Sequence, residues 1–117
     1  MVNEVTLYGI PNCDTIKKAR AWLDDHGIAY SFYDYRKQGL DYKQLQSMVS
    51  ALGWEAMLNR RGTTWRALSS EIRDHVDADS AMRVMLENPV IIKRPILAAD
   101  DRLHLGFSDA QYREIFD

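Results

Sequence analysis

Cysteine is the residue this chain has least of: Cys13 stands alone among 117 residues. A single thiol cannot close a disulfide within its own chain, which excludes both a cross-linked secreted scaffold and an internal dithiol switch. The three histidines, His26, His75 and His104, lie too far apart to give metal-ligand spacing with one another or with Cys13, so no metal site is expected. Excess positive charge is missing as well. Fifteen Lys and Arg against seventeen Asp and Glu leave a net charge of −2, which argues against a nucleic-acid partner. No apolar run approaches the roughly 20 residues of a membrane span. The opening Met-Val-Asn-Glu has neither a basic nor an apolar leader region, so a cytoplasmic protein with no membrane contact is expected. No repeat, low-complexity tract or linker divides the sequence, and its length suits one domain, 1–117, expected to be monomeric.

What is present has a clear order. Residues 4–8 read as a strand, and 13–26 as a helix with Ile16, Ala19 and Leu23 on one face and Gly27 as its stop. Residues 28–35 read as a second strand, which makes a β-α-β unit with parallel strands and a right-handed crossover. Asp41 and Gln44 form a capping-box pattern ahead of Leu45, Met48, Val49 and Leu52, and Gly53 ends that helix. A helical turn at 54–58, a loop at 59–64 and a weakly helical stretch at 65–72 follow. A further helix starts at Asp79 or Ser80, turns Met82, Met85 and Leu86 inward, and stops at Asn88-Pro89. Val90-Ile91-Ile92 then reads as a buried strand run, broken at Arg94-Pro95 before Ile96-Leu97. Residues 98–101 supply a turn, 103–107 a partner strand, and Ser108 with Gln111 caps a last helix to Phe116. The order is thus β-α-β, a helical insertion over about 41–88, then β-β-α: an α/β chain.

The chemistry-bearing residues gather around this frame. A strand turning through Gly9-Ile10-Pro11-Asn12 into a helix leaves Cys13 in the helix's first turn, where free N–H groups and the positive dipole end favour a thiolate. Lys17, one turn on, adds a cation on the same face, whereas Asp14 opposes it. Arg94-Pro95 breaks an apolar strand, at an edge, a bulge or a cis bond, because proline donates nothing to a ladder. Arg60, Arg61, Arg66 and Arg94 are candidate anion ligands, since the guanidinium fork matches carboxylates and tetrahedral oxyanions. Trp22, Trp54, Trp65 and the tyrosines read as packing residues. An adduct on Cys13 can be resolved only by an outside thiol, for which glutathione is the abundant choice.

Three segments taken together carry a resemblance. Tyr8-Gly9-Ile10-Pro11-Asn12-Cys13-Asp14-Thr15, Asn59-Arg60-Arg61-Gly62-Thr63-Thr64-Trp65-Arg66 and Ile92-Lys93-Arg94-Pro95-Ile96-Leu97 resemble the ArsC/Spx superfamily of glutaredoxin-linked arsenate reductases and Spx regulators. Within that superfamily the chain is most similar to the YffB branch of glutathione-dependent thiol reductases. The resemblance implies a thioredoxin-like fold with a helical insertion, Cys13 as nucleophile, Arg60 and Arg94 as anion-binding arginines, and Pro95 as a cis-proline. Asn12 and Lys17 join the expected anion-binding set. Three departures stand out. No arginine lies in Leu103-His104-Leu105-Gly106-Phe107, where arsenate reductases carry a third one; Gly9 and Lys17 replace a histidine and an arginine; and Ile16 replaces the second cysteine of the Spx redox pair.

The leading expectation is a glutathione-dependent thiol–disulfide oxidoreductase with Cys13 and Arg94 in the catalytic centre, glutathione as co-substrate and glutaredoxin as an accessory partner. Arsenate reduction is the second expectation. A non-catalytic Spx-like protein that contacts RNA polymerase is the third.

Overall fold

The computed structural model describes residues 2–117. Strand β1, Val5–Gly9, buries every second residue, as a sheet strand covered chiefly on one face must. Helix α1, Asp14–Asp25, packs Ile16, Ala19, Trp22 and Leu23 inward, and its chain passes Gly27 at φ 66° before turning back. Strand β2, Ser31–Asp34, then pairs parallel with β1, Gly9 lying opposite Asp34. This completes the expected crossover unit. The second strand is shorter than residues 28–35, because Tyr35–Gln38 turns into a short helix, α2. Asp34 drives that turn: its carboxylate accepts from the backbone N–H groups of Arg36 and Lys37 at 3.0 and 3.1 Å.

Strand β3, Ile96–Ala99, runs antiparallel to β1, and β4, Arg102–Leu105, antiparallel to β3, so the sheet order is β2-β1-β3-β4. The expected turn at 98–101 contracts to Asp100-Asp101, since Ala99 already pairs with Arg102. Asp100 takes φ 54°, the left-handed value a two-residue hairpin requires. Its carboxylate also accepts from the N–H groups of Asn3 and Glu4, tying the hairpin to the start of β1. A closing helix, named α8 once the helices of the insertion are counted, covers Asp109–Phe116 behind the Ser108 cap. Gln111 sends its side-chain amide to the Leu105 carbonyl at 3.2 Å, so the expected cap is made by the serine alone. Val5, Leu7, Ala19, Trp22, Leu23, Leu97 and Tyr112 form the core of this unit, each large member worth about 2 kcal/mol in removed apolar surface. The unit comprises the chain up to Gln38 and from Arg94 onward.

Gly39–Lys93 forms a second compact unit. Helix α3, Tyr42–Leu52, starts with the reciprocal Asp41/Gln44 capping box, the two bonds being 2.7 and 3.0 Å. Helix α4, Trp54–Met57, follows. Residues 65–72 do not make one helical stretch: α5, Thr63–Ala67, and α6, Ser70–Asp74, are separated by a fresh cap at Ser69. Helix α7, Ala78–Glu87, begins one or two residues earlier than expected. Asp77 is the cap, and Ser80 is its reciprocal partner three residues on. That shift brings Ala81 and Val84 inward with Met85, leaving Met82 and Leu86 half-buried. Val90-Ile91-Ile92 is not a strand. Pro89 sits at the first position of a 3-10 turn, Pro89–Ile91, a place that asks no N–H of it, and Ile92 makes one isolated bridge with Leu58.

Candidate active site

Cys13 is the N-cap of α1, not a residue of its first turn, with φ −94° and ψ 131°. Its N–H closes the preceding turn on the Ile10 carbonyl at 3.3 Å, and its own carbonyl accepts from Lys17 at 3.0 Å. The sulfur makes no full capping hydrogen bond, but the N–H groups of Ile16 and Thr15 and the Arg94 guanidinium lie near it and favour its anionic form. Burial pushes the thiol pKa up, but these donors and the charge of Arg94 outweigh it, and the net shift is downward from the ordinary thiol value. The competition between the helix end and Asp14 therefore resolves in favour of the thiolate.

Gly9 is what allows the cap to sit so close to the sheet. A Cβ there would fall inside the contact distance of the Ile16 Cδ1 and lie 2.9 Å from its Cγ1. Ile16, fully buried, thus rests directly on the glycine backbone. The residue in the place of a second cysteine is a packing residue that holds the first turn of α1 against β1.

Arg94 enters at the start of β3, ahead of a cis Arg94–Pro95 bond, so the proline break is of the cis kind. Pro95 is buried, and its carbonyl accepts from the Gly106 N–H at 2.9 Å. The guanidinium touches two groups at once, Cys13 and the hydroxyl of Tyr35. Burial opposes its charge, and both partners favour it. Tyr35 is fully buried, its pKa pushed up to about 12, chiefly by that burial, with Arg94 pulling the other way. The sequence reading missed Tyr35. A signal existed: parallel β1 and β2 end on the same edge of the sheet, so the residue after β2 lies beside the turn after β1.

Asn12 and Lys17 are exposed next to Cys13 in sequence, in the turn and on the first turn of α1. In the region of the missing third arginine, Leu105 lies opposite Ile96, one residue beyond Pro95. Arg60 belongs to the second unit. There its guanidinium lies over the rings of Trp54 and Trp65, 5.4 and 5.7 Å from their centroids. Arg60, Arg61 and Lys93 line a cavity of about 360 Å³ together with Glu55, Leu58 and Asn59. The Arg66 Nη1 donates to the Arg61 carbonyl at 3.2 Å. His104 has its pKa lowered, by burial and then by Arg102. Among the described residues no group of three His, Cys, Asp or Glu could hold a metal, and no helix is long and apolar enough to cross a membrane.

The four-stranded sheet with a capping cysteine and an arginine-proline pair at the head of β3 defines a thioredoxin-like fold carrying one thiol. More narrowly, the chain belongs to the ArsC family, whose model matches residues 8–115. A solved arsenate reductase (ArsC) related protein from Brucella melitensis is 51% identical, with a TM-score of 0.80 over 98% of this chain and 96% of that one. The solved YffB protein is 42% identical, with a TM-score of 0.92 over 97% and 99% of the two chains. The global transcriptional regulator Spx of Streptococcus agalactiae is 29% identical over 93% of this chain and 80% of its own length.

Proposed function

We propose that this protein is a glutathione-dependent thiol–disulfide oxidoreductase acting through Cys13. The observation that carries the reading is a lone, half-exposed sulfur at a helix cap, beside two backbone N–H groups and one guanidinium. The Cys13 thiolate attacks the glutathione sulfur of a mixed disulfide, forming Cys13–S–S–glutathione and releasing the substrate as a thiolate. A second glutathione thiolate then attacks that adduct, producing oxidised glutathione and restoring the Cys13 thiolate. Electrons and sulfurs balance without a second protein cysteine. Arg94 stabilises Cys13 as attacking and as leaving thiolate, the backbone beside Pro95 aligns the peptide part, and Asn12 with Lys17 supplies polar partners for the tripeptide's carboxylates. A glutathione-rich cytoplasm would suit the reaction, with glutaredoxin as an alternative reductant.

The test is NADPH consumption coupled through glutathione reductase, with a glutathionylated peptide as substrate. Turnover is expected for the wild type, none for Cys13→Ser, and at neutral pH at least tenfold less for Arg94→Ala. Turnover that survives in Cys13→Ser overturns the scheme.

Arsenate reduction is a second reading, favoured by the 51% likeness to an arsenate reductase related protein. The lack of an arginine across residues 103–107 counts against it, because one well-placed oxyanion donor is worth roughly 10²-fold or more in rate. Arsenate in place of the peptide in the same assay decides between the two substrates. Binding to RNA polymerase, prompted by the Spx relatives, would persist in Cys13→Ser.

A further inference from the structure

The sulfur–guanidinium contact has a third member that the proposed chemistry leaves unused. Tyr35 is the first residue of α2, directly after the strand whose last residue, Asp34, pairs with Gly9 at the end of β1. Its position is over-determined. The β1–β2 pairing places it beside the cysteine turn, the Asp34 carboxylate fixes the backbone of the next two residues, and the ring has no solvent exposure at all. Its hydroxyl meets the Arg94 guanidinium, which also donates to the Cys13 sulfur.

A guanidinium is a flat fork on a flexible stem, and ordering it costs rotamer entropy unless something holds it. A buried phenol oxygen is a strong fixed acceptor, because without Arg94 its own desolvation would stand uncompensated. We propose that Tyr35 is a positioning residue: its hydroxyl accepts from the Arg94 guanidinium and holds that group against the Cys13 sulfur. It touches neither substrate nor reacting sulfur. It acts through Arg94, keeping that donor on the thiolate both before attack and when Cys13 leaves. This inference deepens the thiol-reductase reading and shares its site. The charged group acting on the thiol is Arg94; those acting on Tyr35 are Arg94, Cys13 and Asp34.

The test reads the thiol itself and needs no glutathione, so it stands or falls apart from the turnover assay. The pH midpoint of iodoacetamide alkylation of Cys13 is measured in the wild type, Tyr35→Phe, Arg94→Ala and the double variant. Tyr35→Phe keeps the ring and is expected to raise the midpoint by about half to one unit, cutting alkylation near neutral pH three- to tenfold. In the Arg94→Ala background the same change is expected to move nothing further, which a purely structural role would not produce. An unchanged midpoint in Tyr35→Phe, or an equal shift with Arg94 absent, overturns the proposal. Should Tyr35→Phe fail to fold, 3-fluorotyrosine introduced at position 35 of the otherwise unaltered chain keeps the shape of the site. Its fluorine resonance is expected to shift with the Cys13 titration and to stay flat across that range in Cys13→Ser; a resonance blind to the thiol's ionisation refutes the relay.

Discussion

At the scale of single residues, the chemistry rests on a sulfur placed where helices normally put an oxygen. The N-cap position sets Cys13 beside the N–H groups of Ile16 and Thr15, and Arg94 adds a guanidinium with a full charge. Those contacts are stronger for the thiolate than for the thiol, so ionisation and folding are linked. The folded thiol has a pKa below its ordinary value of 9.0, so the unfolded chain holds that proton to higher pH than the folded one. Stability from this source is therefore fully present above pH 9 and is lost as pH falls through the lowered folded value. Urea unfolding followed from pH 5 to pH 9.5 is expected to show stability rising across that window, and Cys13→Ser is expected to flatten the rise. An identical slope in both proteins would mean that the sulfur is no better held as an anion than as a thiol. Cys13 and Arg94 could be picked out from the sequence because a lone cysteine after a strand and an arginine before an interrupting proline are unusual. Tyr35 could not be picked out so directly, because nothing in a tyrosine following an aspartate records that strand pairing will bury it against an arginine.

At the scale of elements, the parts that depend on local chemistry agree with the sequence. The capping patterns at Asp41 and Ser108, the stop at Gly27 and the parallel crossover all follow from residues close together in the chain. The departures arise where a short segment's apolar content was compatible with two periods. Val90-Ile91-Ile92 looks like a strand, yet Pro89 favours a tight helical turn and leaves only Ile92 to pair. The start of α7 moved because Asp77 and Ser80 satisfy each other, a better arrangement than a cap at Asp79 or Ser80. Gly9 shows an element-level constraint that composition hides: β1 and α1 approach so closely that a methyl group has no room. Gly9→Ala is expected to lower stability by about 1–3 kcal/mol, the usual cost of overpacking. Ile16→Val removes the offending Cδ1 and should recover part of that loss in the double variant while costing about 1 kcal/mol alone. Chemical denaturation of the four proteins checks this, and simple additivity of the two losses would refute the close approach.

At the scale of the whole molecule, two phenols are fully buried among the described residues, one in the candidate active site and one in the core. The Tyr35 hydroxyl has the Arg94 guanidinium. Tyr112 lies in the core between the rings of Trp22, Phe107 and Phe116, and its hydroxyl oxygen has no hydrogen-bond partner. Both phenols have pKa values raised chiefly by burial, that of Tyr35 to about 12. An acid whose folded pKa is raised contributes stability that is present below its unfolded value and is lost as pH climbs to the folded one. The chain is therefore expected to weaken steadily from about pH 10 to about pH 12, as Tyr35 and Tyr112 ionise in the unfolded chain but not in the folded one. Tyr112→Phe separates the two residues. It removes a buried hydroxyl with nothing to bind, so stability at pH 7 should rise by about 1 kcal/mol and part of the alkaline loss should vanish, with the alkylation midpoint of Cys13 unchanged. A drop in stability on Tyr112→Phe would mean that its hydroxyl is satisfied after all. A moved thiol midpoint would mean that the core reaches the sulfur by a route other than Arg94.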